Sequence, residues 1–253
     1  AGGEDNDINS AGRSVINGGK NNLIKSSNAA NIGGGQDNTI QNGFNSVIGG
    51  GVQNVISGSL LDASVIAGGR ENVISGGSVS YNFIGAGATN TIQGSTQGAV
   101  VVGGASNIIR SANNSTIAGG QSNLIDGGSN SFAGGGNFQK ILASDSVVLG
   151  NYGIVTSSHD GAFVFSDSNT DLVYSSGANT LLMDFESGVF IETHDSGLYV
   201  NGGGIFINGN PVITGVSPEA DTLQTVTNRG ATTTNSVGIG TTSANGLLQV
   251  GKY

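Results

Sequence analysis

The sequence predicts an all-β protein: a parallel β-roll or β-helix solenoid, followed by small β-meander or β-prism modules. Three observations predict it. A motif recurs at intervals near sixteen residues, Gly makes up 46 of the 253 residues, and short β-branched pairs alternate with glycine turns. The stretch IGGGQDNTIQNGFNSVIGGGVQNVISG, from Ile32 to Gly58, carries the motif twice.

Each unit opens on an apolar residue: Ile16, Ile32, Ile48, Ile66, Ile84, Val101, Ile117 and Phe132. The spacings are 16, 16, 18, 18, 17, 16 and 15. Three residues later stands Gly: Gly19, Gly35, Gly51, Gly69, Gly87, Gly104, Gly120 and Gly135. Six residues after the opener stands Asn in the first seven units: Asn22, Asn38, Asn54, Asn72, Asn90, Asn107 and Asn123. Eight after it stands Ile: Ile24, Ile40, Ile56, Ile74, Ile92, Ile109 and Ile125. The eighth unit breaks the pattern with Phe138 and Lys140, as terminal repeats do.

Each unit reads as strand, glycine corner, strand, turn. Glycines at fixed phase supply positive φ or let backbones approach closely. A coil of this length pairs each strand with its equivalent one coil away, so coils stack at about 4.8 Å. Like residues then form columns. Ile columns fill the interior, an Asn column makes a ladder of amide hydrogen bonds, and a Gly column leaves room for a tight corner. The 18-residue units insert around Leu60 and Val79.

Residues next to the interior ones are often apolar too: Val15, Val47, Val65, Phe83 and Val100, then Leu23, Val55, Val73, Ile108 and Leu124. Neighbours on a strand point to opposite faces. A roll with apolar residues on both faces has a second hydrophobic surface to hide. Copies of the chain around a common axis would bury that stripe.

Composition narrows the class. Two prolines and no Gly-X-Y period exclude collagen. Only 10% of residues are charged, which is unlike a disordered chain. No Cys means no disulfide framework. No apolar run approaches the roughly 18 residues of a membrane span, so no membrane insertion is expected. The net charge is −9, which disfavours nucleic acid as a partner. From Ala143 onward there are ten acids against two bases, and nine of the fourteen aromatics. A neutral glycine-rich half thus precedes an acidic, more aromatic one.

The units of form SVIGGGxxNxI resemble the head repeats of trimeric autotransporter adhesins, and similar repeats in phage and predatory-bacterial fibre proteins. The resemblance covers about Ser14 to Val155. It implies a left-handed parallel β-roll, three rolls intertwined about one axis, and an adhesive or spacer rod. Where the family's common signature has Ala-Ile-Gly, this chain has Ile-Gly-Gly or Ile-Ala-Gly. HDGAFVFSDS (159–168) resembles the segment after such repeats, where a strand pair leaves the roll. DTLQTVTNRGATTTN (221–235) resembles a connector of phage-like fibres. SVGIGTTSANGLLQV (236–250) is similar to a motif preceding a self-cleaving chaperone domain, with Ala244 in place of the usual Pro. The run 181–215 alternates short strands with Gly and Asn-Gly turns, as a meander does, and Pro211 fits a strand edge.

These readings divide the chain into an N-terminal segment (1–13), the repeat array (14–158), a meander or prism module (159–215), and a connector with a threaded β segment (216–253). Chemistry-bearing groups are few. His159-Asp160 and His194-Asp195 read as turn residues rather than a dyad or metal pair. Asp184 and Glu186 alternate as strand residues do, which also suits a glycosidase pair. GxSxG is absent, and the glycine triplets lack the Lys and Ser/Thr of a phosphate loop. The "EDND" tract at Glu4–Asp7 lacks the Gly and Glu of a calcium-binding EF-hand loop.

The expected function is a non-enzymatic structural segment of a trimeric fibre or adhesin, without cofactor, metal or catalytic residue. Its residues of consequence are the repeat columns. Its partners would be further copies of itself and a host surface or glycan receptor, on a virion or at the cell surface. The alternative is a virion fibre that binds or cleaves glycans.

Overall fold

The computed structural model describes residues 2–167, 171–189, 191, 205–207 and 210–213. Ala1–Phe190 and Ile191–Tyr253 form two separate units. Among the described residues there is no helix.

The first unit is a parallel β-solenoid. One sheet is built from the strands Asp7–Asn9, Leu23–Lys25, Thr39–Phe44, Val55–Asp62, Val73–Ser80, Thr91–Gln93, Ile108–Arg110, Leu124–Asp126, Lys140–Ile141, Gly153–Val155 and Val173–Tyr174. The second sheet begins with Val15–Ile16, Asn31–Ile32 and Val47–Ile48, and ends with Phe163–Ser166 and Leu181–Asp184. Each holds eleven strands in line, so the solenoid has about eleven turns. Ten spacings of about 4.8 Å give a stack of roughly 48 Å.

Register follows the repeat. Ile24 pairs with Ile40, Ile40 with Ile56, and Ile56 with Ile74. Ile16 pairs with Ile32, Ile32 with Ile48, and Ile48 with Ile66. Both columns enter one core, in which Ile24, Ile32, Ile40, Ile48, Ile56, Ile66, Ile74, Ile84 and Ile117 are fully buried and Ile16 is nearly so. A core one side chain wide per sheet leaves no room for a polar or oversized substitute. That is why the interior is almost wholly Ile, with Val or Ala at a few turns.

The solenoid runs past both expected bounds of the array. Asp7–Asn9 pairs with Leu23–Lys25, so residues before Ser14 already make a coil. Phe163–Ser166 pairs with Val147–Leu149 and with Leu181–Asp184, so HDGAFVFSDS continues the roll instead of leaving it. The eighth repeat is also shifted by one residue from its expected phase. Ala133, not Phe132, lies under Ile117, and Phe132 points outward, 38% exposed. Counted from Ala133, Gln139 and Ile141 fall in the Asn and Ile columns, and Ile141 pairs with Ile125. A slip of one position exchanges the two faces of a strand, which is what made this unit look broken.

The 18-residue coils lengthen in the first sheet. Val55–Asp62 and Val73–Ser80 pair from end to end, including Gly58 with Gly76 and Asp62 with Ser80. The extra residues prolong a turn and leave the interior columns in phase.

In the second unit Ile205–Ile207 pairs antiparallel with Asn210–Ile213, placing Pro211 opposite Phe206. A two-stranded sheet consists of edges, the place where Pro is tolerated. The expected meander does not begin at 181: Leu181–Asp184 is the last strand of the roll's second sheet, paired parallel with Phe163–Ser166. Most of the remaining run to 215, His194, and the connector with its 236–250 motif lie outside the described residues.

Replacing Ile56 by Ala is expected to cost about 2–5 kcal/mol of stability, the range for large-to-small core changes. Chemical denaturation of the two proteins checks this, and replacing outward, half-buried Val55 by Ala in the single chain should cost far less.

Candidate functional site

The most elaborate local geometry lies at the corner between the glycines and the first sheet. Gly51 there has φ of 96°. A Cβ on it would overlap the Gly69 carbonyl oxygen of the next coil and come within 2.7 Å of Asn54 Nδ2. Two residues on, Asn21, Asp37, Gln53, Glu71, Thr89, Ser106 and Ser122 form a column at φ 56–58°. That left-handed conformation is uncommon outside Gly and costs energy, so the corner must be held by other contacts.

The Asn column supplies them. Asn54 N and Nδ2 donate to Asn38 Oδ1 at 3.0 and 3.1 Å. Asn38 N and Nδ2 donate to Asn22 Oδ1 at 3.0 and 3.1 Å, and Asn72 does the same to Asn54 at 3.1 and 3.2 Å. Each Nδ2 also reaches a carbonyl in its own corner and one in the next: for Asn54, Gly50 O at 3.1 Å and Gly69 O at 3.0 Å. Two N–H bonds serve three acceptors, so one is shared. Asn22, Asn38, Asn54 and Asn72 are fully buried, and the network leaves their amides satisfied. Gly19, Gly35, Gly51 and Gly69 provide the close approach that brings these carbonyls into range.

The ladder begins one turn earlier than the sequence pattern indicated. Asn6, within "EDND", accepts from Asn22 N and Nδ2, each at 3.0 Å. It ends at Gln139, whose N donates to Asn123 Oδ1 at 2.9 Å and whose Nε2 reaches Gly150 O at 2.7 Å. The next position in the column is Gly153, with no amide to continue it, and Gln139 Oε1 is buried without a protein partner. Phe138 and Tyr152 stack at this end, 5.5 Å apart.

A second polar column was not singled out from the sequence. Ser14, Ser46, Ser115 and Ser131 stand two residues before interior positions and accept from the next coil: Ala30 N at 3.1 Å, Ser64 N at 3.4 Å, Ser131 N at 3.1 Å and Ser146 N at 3.2 Å. Asn82 takes the role once, accepting from Ala99 N at 2.8 Å. The signal was Ser or Asn immediately before the Val-Ile, Phe-Ile or Thr-Ile pair.

The outward columns are also in register: Val47 with Val65, Val65 with Phe83, Phe83 with Val100. On the other sheet Val55 lies beside Val73, and Ile108 beside Leu124. These side chains are half-buried or exposed in the single chain; Val15 is 45% and Leu181 55% exposed. Two apolar stripes therefore face outward along the roll. The ion pairs Lys20–Glu4, Arg70–Glu71 and Arg110–Asp126 are on the surface and contribute little.

The groups weighed for chemistry are engaged in the coils. His159 Nδ1 lies 2.6 Å from Ser175 Oγ, but Ser175 is buried and its Oγ also accepts from Thr156 N at 3.3 Å. Asp160 Oδ1 accepts from Ser144 N at 2.8 Å, one coil away. Asp184 closes its strand and Glu186 lies in the turn beyond, its N donating to Asp167 Oδ2 at 2.7 Å. The described residues contain no cluster of three or more His, Cys, Asp or Glu able to hold a metal. No helix of the described residues is long and apolar enough to cross a membrane. Neither a protein-family model nor a curated protein sequence matches the chain.

Replacing Asn54 by Leu removes the acceptor of Asn72 and a donor to two carbonyls. The expected loss is at least about 2 kcal/mol, each buried orphan costing about 1–3 kcal/mol. Gly51→Ala should be comparably damaging, while Gln53→Gly in the same corner should be neutral or stabilising. Urea denaturation of the three variants gives the ranking.

Proposed function

We propose that this chain is a structural, non-catalytic segment of a homotrimeric fibre or adhesin, a stiff rod that projects a recognition surface from a virion or cell. One observation carries the reading: a solenoid whose interior is complete within one chain still bears, on both sheets, outward columns that are apolar at most coils, interrupted by Asn31 and Thr116 on one sheet and by Thr39, Thr91 and Lys140 on the other. Exposed apolar patches of this extent mark interaction sites. Repetition of outward apolar residues at most coils suits a partner with the same repeat, and a closed ring of identical chains meets that requirement. The resemblance of the repeats to trimeric adhesin heads and phage fibres supports three chains about one axis. The resemblance of 221–235 and 236–250 to fibre connectors favours a virion fibre or appendage.

Stiffness follows from the ladder. Each coil is bound to the next by backbone hydrogen bonds on two sheets, one amide in the Asn column and, at several coils, a Ser hydroxyl. Bending the stack strains all of them together. A rod of this kind performs no reaction; it sets distance and presents what lies on its surface.

Sedimentation equilibrium tests the assembly. The expected mass is three chains of 25.0 kDa, near 75 kDa. A stable species of one chain's mass would overturn the proposal. Introducing Asp at both Val47 and Val65 should dissociate the assembly, because paired charges would be buried without partners.

A further inference from the structure

The first three coils flank a shallow, largely open surface depression of about 620 Å³. Gly12, Asn28 and Phe44 occupy one corner of consecutive coils: Gly12 bridges Asn28, and Asn45 N, next to Phe44, donates to Asn28 O at 2.9 Å. Gly12 forms the open end, since a Cβ there would press on Asn28 Oδ1 at 3.3 Å. Phe44 forms the other end, its side chain 44% exposed. Ser10, Arg13, Ser26, Ser27 and Asn28 complete the lining.

Two of the polar groups of this groove are engaged, Ser10 Oγ donating to Asn9 Oδ1 at 3.1 Å and Ser27 Oγ donating to Lys25 O at 2.9 Å while accepting from Gly43 N at 3.1 Å, and the others are unspent. The Ser26 hydroxyl and the Asn28 amide have no side-chain hydrogen bond among the described residues. Lys20, Arg70 and Arg110 each have a carboxylate partner; Arg13 has none among the described residues. An acidic protein of net charge −9 thus holds an unpaired guanidinium in a concave site, beside an amide, a hydroxyl and the face of a ring. Asp62, one coil beyond Phe44, is engaged by Asn45 Nδ2 at 2.9 Å and bounds the site on that side.

We propose that this groove binds a saccharide carrying a carboxylate. The guanidinium fork matches a carboxylate in bidentate fashion. The ring of Phe44 offers an apolar face to sugar C–H groups, and Asn28 and Ser26 suit hydroxyls, which both donate and accept. Three coils at about 4.8 Å give a length of roughly 10 Å, enough for one or two sugar rings. The assignment deepens the rod reading and rests on it for its setting, because it gives the projected surface a ligand class.

The test uses the full chain with sialyllactose and tri-galacturonate as acidic probes, and lactose and maltotriose as neutral ones, followed by calorimetry and by sugar-observed NMR. The acidic sugars should bind about tenfold more tightly than the neutral ones, the scale of one charge-assisted contact. Arg13→Gln should abolish that preference, and Phe44→Ala should weaken all binding. Lys140→Gln, far along the roll, should change nothing. Melting temperatures of the variants separate a lost site from a lost fold. No saturable binding at millimolar sugar, equal binding of neutral and acidic sugars, or binding that survives Arg13→Gln overturns the assignment. The mass of the same samples keeps the two proposals apart. A single chain that binds through Arg13 sinks the trimer and leaves the groove, and a trimer that binds no acidic sugar does the reverse.

Discussion

The buried amide of the Asn column is the contact on which the rest of the solenoid depends. Its oxygen accepts two N–H groups from the following coil, and its nitrogen fixes a glycine corner on each side. A coil displaced by one residue would present an αL corner residue or an outward Val where the amide belongs. Both sheets would then lose their interior columns at the same stroke. The ladder therefore acts as a register lock as well as a source of stability. It also explains how the chain tolerates a whole column of non-glycine residues at positive φ, since the backbone there is held on either side by hydrogen bonds that the strained conformation alone makes possible.

The architecture follows from that lock. With register fixed, each coil adds an interior Ile, Val or Ala to each sheet and, at most coils, an outward Val, Ile, Leu or Phe. Stability in such a stack is a sum of nearest-neighbour terms. The interior sum closes within one chain and the exterior sum does not. The 18-residue coils show how tightly the columns are conserved within the molecule, because the additional residues are expelled into paired extensions and leave Ile56, Ile66 and Ile74 in line. Where the lock ends, at Gln139 and Gly153, the coils become irregular in length and the outward column shifts from Val toward Phe and Leu.

Most of this was legible because the repeat is strict in the coils that matter most. Ile, Gly and Asn at phases zero, three, six and eight specify a coil, and the structure places all of them in columns. What escaped notice had specific causes. The coil with Gly3, Asn6 and Ile8 carries these motif residues among the charges of the EDND tract, which mask the pattern. At Phe132 the larger apolar residue was taken as interior, whereas a core built for Ile and Val accepted the adjacent Ala133 and turned the ring outward. The Ser column was hidden because Ser is common throughout the chain. The groove around Arg13 was invisible to any repeat-based reading, since it arises at a corner whose residues do not repeat: Gly12, Asn28 and Phe44 in one column, and Arg13, Ala29 and Asn45 in the next.

The central claim is that equivalent residues of successive coils lie directly over one another. The chain contains no Cys, so an engineered pair can form a single disulfide. Gln36 and Val52 are bridge partners one coil apart in an outward column, and Val52 is in turn the partner of Arg70. A spacing near 4.8 Å falls inside the Cα separation a disulfide spans, about 4.4–6.8 Å, and twice that spacing falls outside it. Under mild oxidation, Gln36→Cys with Val52→Cys should therefore close within one chain, and Gln36→Cys with Arg70→Cys should stay reduced. Equal closure of the two pairs, or closure of the second alone, would contradict the stacked register on which the account is built.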